Sequence, residues 1–318
     1  MSAARHLRRY GTLLGFAAMV AFFALNLPET FLTPRNLLNV SQQISMLAVV
    51  AFTMTVVMSM GDFDLSVGAM ASLAGVVAAS LFVAGWPPGA AIAAALVTGL
   101  FAGVLNGFLV SALGILPFVA TLGTMTVFGG LAFVVSDGRT IFGRDIPPAF
   151  SGFARSGVEL GDLRIPALSL VALAVLAVIW LVLEQTPYGR RLYAIGGNIE
   201  AARLAGTRVV RLRLLAFCFT GVGAAIAGLM YASRVASANP TQGDGLMLDA
   251  IACVFLGMTM SEEGEPRVLG TLLGVLLLGL LDNGLTQMSV DSYIREVLVG
   301  AIIILAVASG RIGAFSRR

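Results

Sequence analysis

Apolar residues occur along this chain in long blocks separated by short polar turns, without the alternation of a half-buried strand. A helix needs about 20 apolar residues to cross the ~30 Å of hydrocarbon in a bilayer. Blocks near that length fall at about 10–27, 40–60, 65–85, 90–112, 116–135, 166–183, 214–233, 247–260, 268–288 and 293–309. They predict an all-α, polytopic membrane protein of about ten transmembrane helices, with 1–318 forming a single transmembrane domain. The eighth block, LDAIACVFLGMTM, is short for a crossing and carries Asp249 near its start, so it reads as tilted or re-entrant.

An even number of spans puts both termini on one side, and the arginines say which. Cytoplasmic loops collect the basic residues of a membrane protein. With the amino terminus inside, the inner segments hold Arg5, Arg8, Arg9, Arg190, Arg191, Arg203, Arg208, Arg211, Arg213, Arg267, Arg311, Arg317 and Arg318, which is 13 of the 20 basic residues. Both termini are therefore expected in the cytoplasm. The outer segment 136–165 carries Arg139, Arg144, Arg155 and Arg164, balanced by Asp137, Asp145, Glu159 and Asp162. The first block has the basic flank of a signal peptide but no small-residue cleavage site before LNLPETF, and reads as a retained span.

Composition agrees with this picture. At 58% hydrophobic and 12% charged residues, the chain belongs in membrane lipid, and a water-soluble fold is excluded. Every basic residue is arginine, and they are scattered among loops, which suits topology control and argues against a nucleic-acid partner. Cys218 and Cys253 lie inside apolar blocks and read as packing residues, with no disulfide framework or metal cluster.

A faint repeat divides the chain. GDFDLSVGAMASLAG (61–75) is followed 45 residues after Gly61 by Asn106 and Gly107, and GDGLMLDAIACVFLG (243–257) is followed 40 residues after Gly243 by Asn283 and Gly284. Two four-helix units, 40–135 and 214–309, would enter the membrane from opposite sides, the inverted-repeat layout of many transporters. Gly99, Gly103 and Gly107 share a helix face, and Gly270 with Gly274 repeats the spacing, so backbones can approach closely there.

Polar residues inside the blocks are candidates for a translocation path. Asp62 and Asp64 interrupt an apolar run from Ile44 to Ala84, and a carboxylate at bilayer depth costs ~2.5–3.5 kcal/mol on insertion scales. Asp64 can cap a helix beginning at Leu65, accepting from the amides of Ser66 or Val67, and a broken helix can also present polar groups to a solute. Capping is not available to Asp62, for which a functional role and loop exposure are both open. Asn106, Thr121, Thr124, Ser237, Asn239 and Asn283 can line a path or bond across helices. The candidate pathway set is Asp62, Asp64, Ser66, Asn106, Thr121, Asp249 and Asn283.

Catalytic motifs are missing. There is no GxxxxGKS or GxxxxGKT loop, no HExxH and no CxxC, and His6 is the only histidine, so neither a cofactor nor a metal is expected. The chain does not read as an enzyme. The most basic loop, 184–213, holds YAIGGNIEAARLAG between TPYGRR and RVVRLR. Asn198 suits an N-cap, Glu200 sits in the first turn, and Gly206 can end the helix in the left-handed region. A two-turn helix is not stable alone in water, so it must dock on its own bundle or on a partner.

TPYGRRLYAIGGNIEAARLAG followed by RVVR, with GDFDLSVG, LPFVATLGTM and LDAIACVFLG, resembles the permease subunits of bacterial ABC importers of the ribose, xylose and arabinose type, over about residues 30–310. The resemblance implies a permease pair, homodimer or heterodimer, in the bacterial inner membrane. It also implies a cytoplasmic ATP-binding subunit that hydrolyses ATP and a periplasmic sugar-binding protein that delivers a pentose or related sugar. Gly196, Gly197, Asn198, Glu200, Ala201, Ala202, Arg203 and Gly206 then match the coupling helix that fits a groove of the ATPase. The sequence departs from the family pattern at MTMSEEGEPRVLG, where Glu262, Glu263 and Glu265 place negative charge in an inner loop. The alternative reading is a secondary transporter coupled to an ion through Asp62, Asp64 or Asp249.

Overall fold

A computed structural model describes residues 3–161, 163–261, 264–298, 300–301 and 304, and all side chains among them except those of residues 3–10 and Arg144. Helices fill the apolar blocks: α1 (Ala3–Asn26), α2 (Pro34–Met58), α3 (Val67–Val83), α4 (Pro88–Ser111), α5 (Pro117–Ser136), α7 (Ala167–Trp180), α10 (Val209–Val235), α11 (Leu246–Met258) and α12 (Val268–Gln287). The punctuation is largely proline. Pro34, Pro88, Pro117 and Pro187 each open a helix, where the missing N–H removes a group that has no intrahelical partner anyway. Among the described residues, six helices are long and apolar enough to cross a membrane: α2, α4, α5, α10, α12, and α7 with its π-helical extension Leu181–Gln185. The apolar part of α1, Gly11–Asn26, and helices α3 and α11 are shorter. Of the predicted tenth span, residues 293–298, 300–301 and 304 are helical, and the remainder lies outside the described residues.

Contacts between helix ends sort the connections onto two faces. On one face Asp62 pairs with Arg213, Tyr193 bonds to Pro266, and Thr12 to Thr259. On the other, Asn36 pairs with Asn283, Gln42 bonds to Ala154, Ser80 to Val135, and strand β1 (Ile141–Phe142) to strand β4 (Ser237–Ala238). Consecutive spanning helices thus run in alternating directions, as the block pattern predicts.

The segment 136–165 is more than the charged outer loop that sequence suggests. It folds into a cap: helix α6 (Pro148–Arg155) and a hairpin of β2 (Gly157–Leu160) with β3 (Leu163–Pro166). Ser233 on α10 holds α6 by donating to the Phe150 carbonyl at 2.6 Å and accepting from the Ala154 amide at 3.2 Å. Glu159 and Arg164, noted in the sequence for their opposite charges, pair across the hairpin at 2.6 Å.

The Gly99/Gly103/Gly107 face packs internally, against α10. A Cβ built at Gly99 or Gly103 would lie 2.4 Å from the carbonyl oxygen of Gly221 or Phe217, and one at Gly221 would lie 2.2 Å from that of Gly99. Gly270 and Gly274 likewise meet Gly257 and Cys253 of α11. Overpacking of this kind costs about 1–3 kcal/mol. Gly103→Val is therefore expected to lower the melting temperature in detergent. Gly129→Val, at a position where an added Cβ meets nothing within 4 Å, is expected to leave it nearly unchanged. Equal melting of the two variants would show that the α4–α10 approach is loose.

Candidate functional site: a buried carboxylate hub and a docked inner segment

The chain turns at Gly61, whose φ of +80° suits a residue without a Cβ, and runs through Asp62–Ser66 to the start of α3. Asp64 is fully buried. Its Oδ1 accepts from the Ser66 amide at 3.0 Å, the Ser66 hydroxyl at 2.6 Å and Asn106 Nδ2 at 3.3 Å. Its Oδ2 accepts from the Thr220 hydroxyl at 2.7 Å. Asn106 also donates to Ser66 Oγ at 2.8 Å, and its Oδ1 accepts from Thr124 at 2.7 Å. One carboxylate thus ties the start of α3 to α4, α5 and α10. Hydrogen bonds to a charged group contribute about 1.5–3 kcal/mol each, enough together to offset the burial of the charge.

The capping expectation for Asp64 needs correction in one respect. Asp64 does accept from the Ser66 amide, but α3 begins at Val67, two residues later than predicted, and Ser66 at its N-cap makes no side-chain capping bond. The segment is held by tertiary partners on α4 and α10, which delay the first helical turn.

The pathway candidates separate into groups. Asp64, Ser66 and Asn106 meet in the hub. Thr121 is buried one turn before Thr124 and spends its hydroxyl on the Pro117 carbonyl of its own helix. Asp62 faces away from the hub and makes a bidentate pair with Arg213, Nε to Oδ2 at 2.8 Å and Nη2 to Oδ1 at 2.7 Å. Asn283 pairs with Asn36 and accepts from Gln287, bracing α12 against α2 near the opposite face. Asp249 is half-buried on α11, within the field of Asp282 and Glu296. Thr220 and Arg213 were not foreseen as site residues. Thr220 had a signal, a hydroxyl in the middle of an apolar block, whereas Arg213 was hidden in the basic run RVVRLR.

The second chain break meets the first. Gly243, before α11, donates its amide to Ser72 Oγ on α3 at 2.9 Å, and a Cβ at Gly68 would lie 2.6 Å from the Gly243 carbonyl oxygen. Phe63 and Phe255 pack with ring centroids 6.1 Å apart. The starts of the two short helices therefore converge inside the protein. Ser237 and Asn239 lie on the cap side: Ser237 pairs with Phe142 in the ladder, and Asn239 donates to Thr140.

The loop 184–213 forms two helices, α8 (Pro187–Gly197) and α9 (Ile199–Leu204), so the short helix of the sequence is preceded by a longer one. Asn198 caps α9 by accepting from the Ala201 amide at 2.9 Å, and Gly206 ends it with a φ of +83°. Glu200 and Arg203 pair with each other at 3.1 Å on the exposed face. Ala202 is buried, Ala201 is exposed, and Leu204 is 89% exposed. Of the two glycines, Gly197 meets no neighbour, but Gly196 sits against the end of α2, where an added Cβ would lie 2.3 Å from the Ser59 carbonyl oxygen. Gly196 is thus an internal packing residue of this chain.

Behind α8, the Tyr193 hydroxyl donates to the Pro266 carbonyl at 2.8 Å, and Arg267 lies over its ring at 5.3 Å while pairing with Glu184 at 3.0 Å. Burial first, and then the neighbouring Glu184 charge, push the Tyr193 hydroxyl above its ordinary pKa, so it remains a donor. Glu265 pairs with Arg267, while Glu262 and Glu263 lie outside the described residues.

A bundle of lipid-length helices, joined at a buried polar hub and carrying a charged segment on one face, defines a multi-pass membrane protein. Comparison with known proteins places it. The chain belongs to the permease family described as branched-chain amino acid transport system / permease component, whose profile matches residues 36–307. It is 40% identical to the ribose import permease protein RbsC of Bacillus subtilis (strain 168), covering 96% of this chain and 93% of that one. It is 35% identical to the D-allose transport system permease protein AlsC of Escherichia coli (strain K12), over 96% of this chain and 92% of that one. The xylose transport system permease protein XylH of the same strain is 33% identical, over 91% and 88%. No solved structure matches the chain.

Proposed function

We propose that this chain is the membrane-spanning subunit of an ATP-driven importer and forms the path for a monosaccharide, a pentose or a related sugar. The observation that carries this reading is the similarity, over more than nine-tenths of the chain, to permeases named for ribose, allose and xylose. In this reading ATP is hydrolysed by a cytoplasmic ATP-binding subunit, sugar arrives from a periplasmic binding protein, and two permease subunits pair in the bacterial inner membrane with both termini cytoplasmic. The whole chain is one permease domain, with 40–135 and 214–309 as inverted units whose short helices α3 and α11 meet at the centre. Segment 184–213 faces the cytoplasm, and α9 is the coupling helix. Its cap and its exposed Leu204 support that role, since such a short helix needs a docking partner.

The bonding of Asp62 and Asp64 takes those two carboxylates out of the ion-coupled alternative, which then rests on Asp249. Asp62 is already engaged by a guanidinium and Asp64 by four donors, so neither carboxylate is left open to a travelling cation. Reconstitution in proteoliposomes tests the proposal. Uptake of labelled ribose, allose or xylose is expected only with ATP, the ATP-binding subunit and the binding protein present. Uptake by this chain alone, driven by a proton or sodium gradient, would overturn it.

A further inference from the structure

The inner segment α8–α9 is fastened to the bundle at two places, and each lies at one end of a short helix. At the first, Gly196 of α8 rests on the Ser59 carbonyl, and beside it Arg213, in the first turns of α10, the helix that follows α9, grips Asp62 immediately before α3. At the second, Tyr193 bonds to Pro266 and Arg267 pairs with Glu184, in the connection that follows α11. Helix α10 reinforces the first tie. Arg213 and Thr220 are seven residues apart, two turns on one face of that helix, and they hold Asp62 and Asp64, two residues apart on the turn before α3. Moving the start of α10 therefore displaces the break before α3. Because α3 and α11 meet at Gly68/Gly243 and Phe63/Phe255, that displacement reaches both short helices.

We infer that the Asp62–Arg213 pair is a positioning pair that transmits movement of α8–α9 to the breaks beside α3 and α11, and so couples ATP hydrolysis to opening of the sugar path. The inference rests on the proposed function, in which α9 meets the ATP-binding subunit. Three features suit the pair to this work. Its fork-to-fork geometry fixes direction as well as distance, which a lysine cannot reproduce. It is nearly buried, with side chains 16% and 8% exposed, so water screens it little. A cleft of about 490 Å³, lined by Met60 to Asp62, Ile195 to Ile199 and Arg213, opens beside it and leaves α8–α9 room to shift.

The test uses the full complex in proteoliposomes and reads two rates together, ATP hydrolysis and sugar uptake. For Asp62→Asn we expect the ATP-binding subunit to be retained and ATP hydrolysis to continue, while sugar taken up per ATP falls by a factor within the about 5–150-fold range of typical coupling energies. Arg213→Lys, which keeps the charge and loses the fork, is expected to fall in the same sense by less. The exchange Asp62→Arg/Arg213→Asp is expected to recover part of the ratio. An unchanged uptake-to-ATP ratio in Asp62→Asn overturns the inference, and if that variant does not fold, an unchanged ratio in Arg213→Lys does so. Failure of the underlying proposal looks different: the unaltered complex would then show no ATP-dependent uptake at all.

Discussion

Asp64→Ala permease is expected to melt only modestly below the unaltered protein and yet to transport sugar at background level, whereas Asp64→Asn is expected to keep its stability and a substantial part of its transport. The argument begins with the donors. Alanine removes the acceptor for the Ser66 amide, the Ser66 hydroxyl, Asn106 and Thr220. Thr220 can fall back on the Phe217 carbonyl, to which it already donates at 2.9 Å, and the Ser66 hydroxyl can rotate. The Ser66 amide and one Asn106 hydrogen have no such freedom, and each stranded donor costs about 1–3 kcal/mol. Against this stands relief from burying a charge, about 2.5–3.5 kcal/mol on insertion scales. The two nearly cancel, so the melting temperature should fall modestly. Transport should fall far more, because the start of α3 loses its tie to α10 and keeps only the Asn106–Ser66 bond to α4, so the break is less firmly fixed.

Asparagine separates geometry from charge. Its Oδ1 keeps the three bonds that Asp64 Oδ1 makes, and its Nδ2 can donate to Thr220, whose hydroxyl then donates to Phe217 alone. No charge is buried, so Asp64→Asn should melt at or above the temperature of the unaltered protein. Melting curves and uptake rates measured side by side decide the matter. If Asp64→Asn is folded and as inactive as Asp64→Ala, the negative charge itself is required and the geometric account fails.

The hub shows where sequence reading reaches and where it stops. The helices were legible because lipid imposes a length on apolar blocks, and among the described residues six of the helices that fill those blocks are long and apolar enough to cross a membrane. The ends of α9 were legible because capping is local: Asn198 and its Ala201 acceptance lie three residues apart, and Gly206 needs only its own backbone. Asp64 stood out because a carboxylate in an apolar run requires compensation. Its compensators did not stand out, since Thr220 lies 156 residues away and Arg213 lies 151 residues from Asp62. No periodicity reports such pairings. The two-residue delay of α3 has the same origin, because distant partners overrode a local capping preference. Gly196 shows a related limit: a glycine inside a recognisable motif was assigned to the partner surface, while its close approach is to Ser59 of the same chain. The cap on the opposite face was obscured for a different reason, since the balanced charges of 136–165 read as solvent-exposed loop although they decorate a small folded unit.

Leu204→Arg permease should fold as the unaltered protein does and yet lose the ATP-binding subunit. Leu204 is 89% exposed, so its replacement removes almost no packing within this chain, and a cation in the last turn of a helix is favourable by about 0.3–1 kcal/mol. A large aliphatic residue so exposed at the end of a six-residue helix is what a partner's pocket would cover, and truncating a central interface residue costs about 2 kcal/mol or more in binding. Converted at about 1.4 kcal/mol per decade, that is at least a roughly thirtyfold weaker complex. The double variant Glu200→Arg/Arg203→Glu probes the polar side of the same helix. The pair is exposed and, among the described residues, bonded to itself at 3.1 Å, so reversing it should cost this chain little, because such surface pairs are worth about 0–1 kcal/mol. If α9 merely braces the bundle, both variants keep the ATP-binding subunit and differ from the unaltered protein only in melting temperature. If α9 is the coupling element, both keep their melting temperature, co-purify with little ATP-binding subunit, and show no ATP-dependent uptake. Normal retention and normal uptake in both variants would remove α9 from the coupling path and leave the connection at 261–267, which already touches α8 through Tyr193 and Arg267, as the remaining route from the inner face to α11.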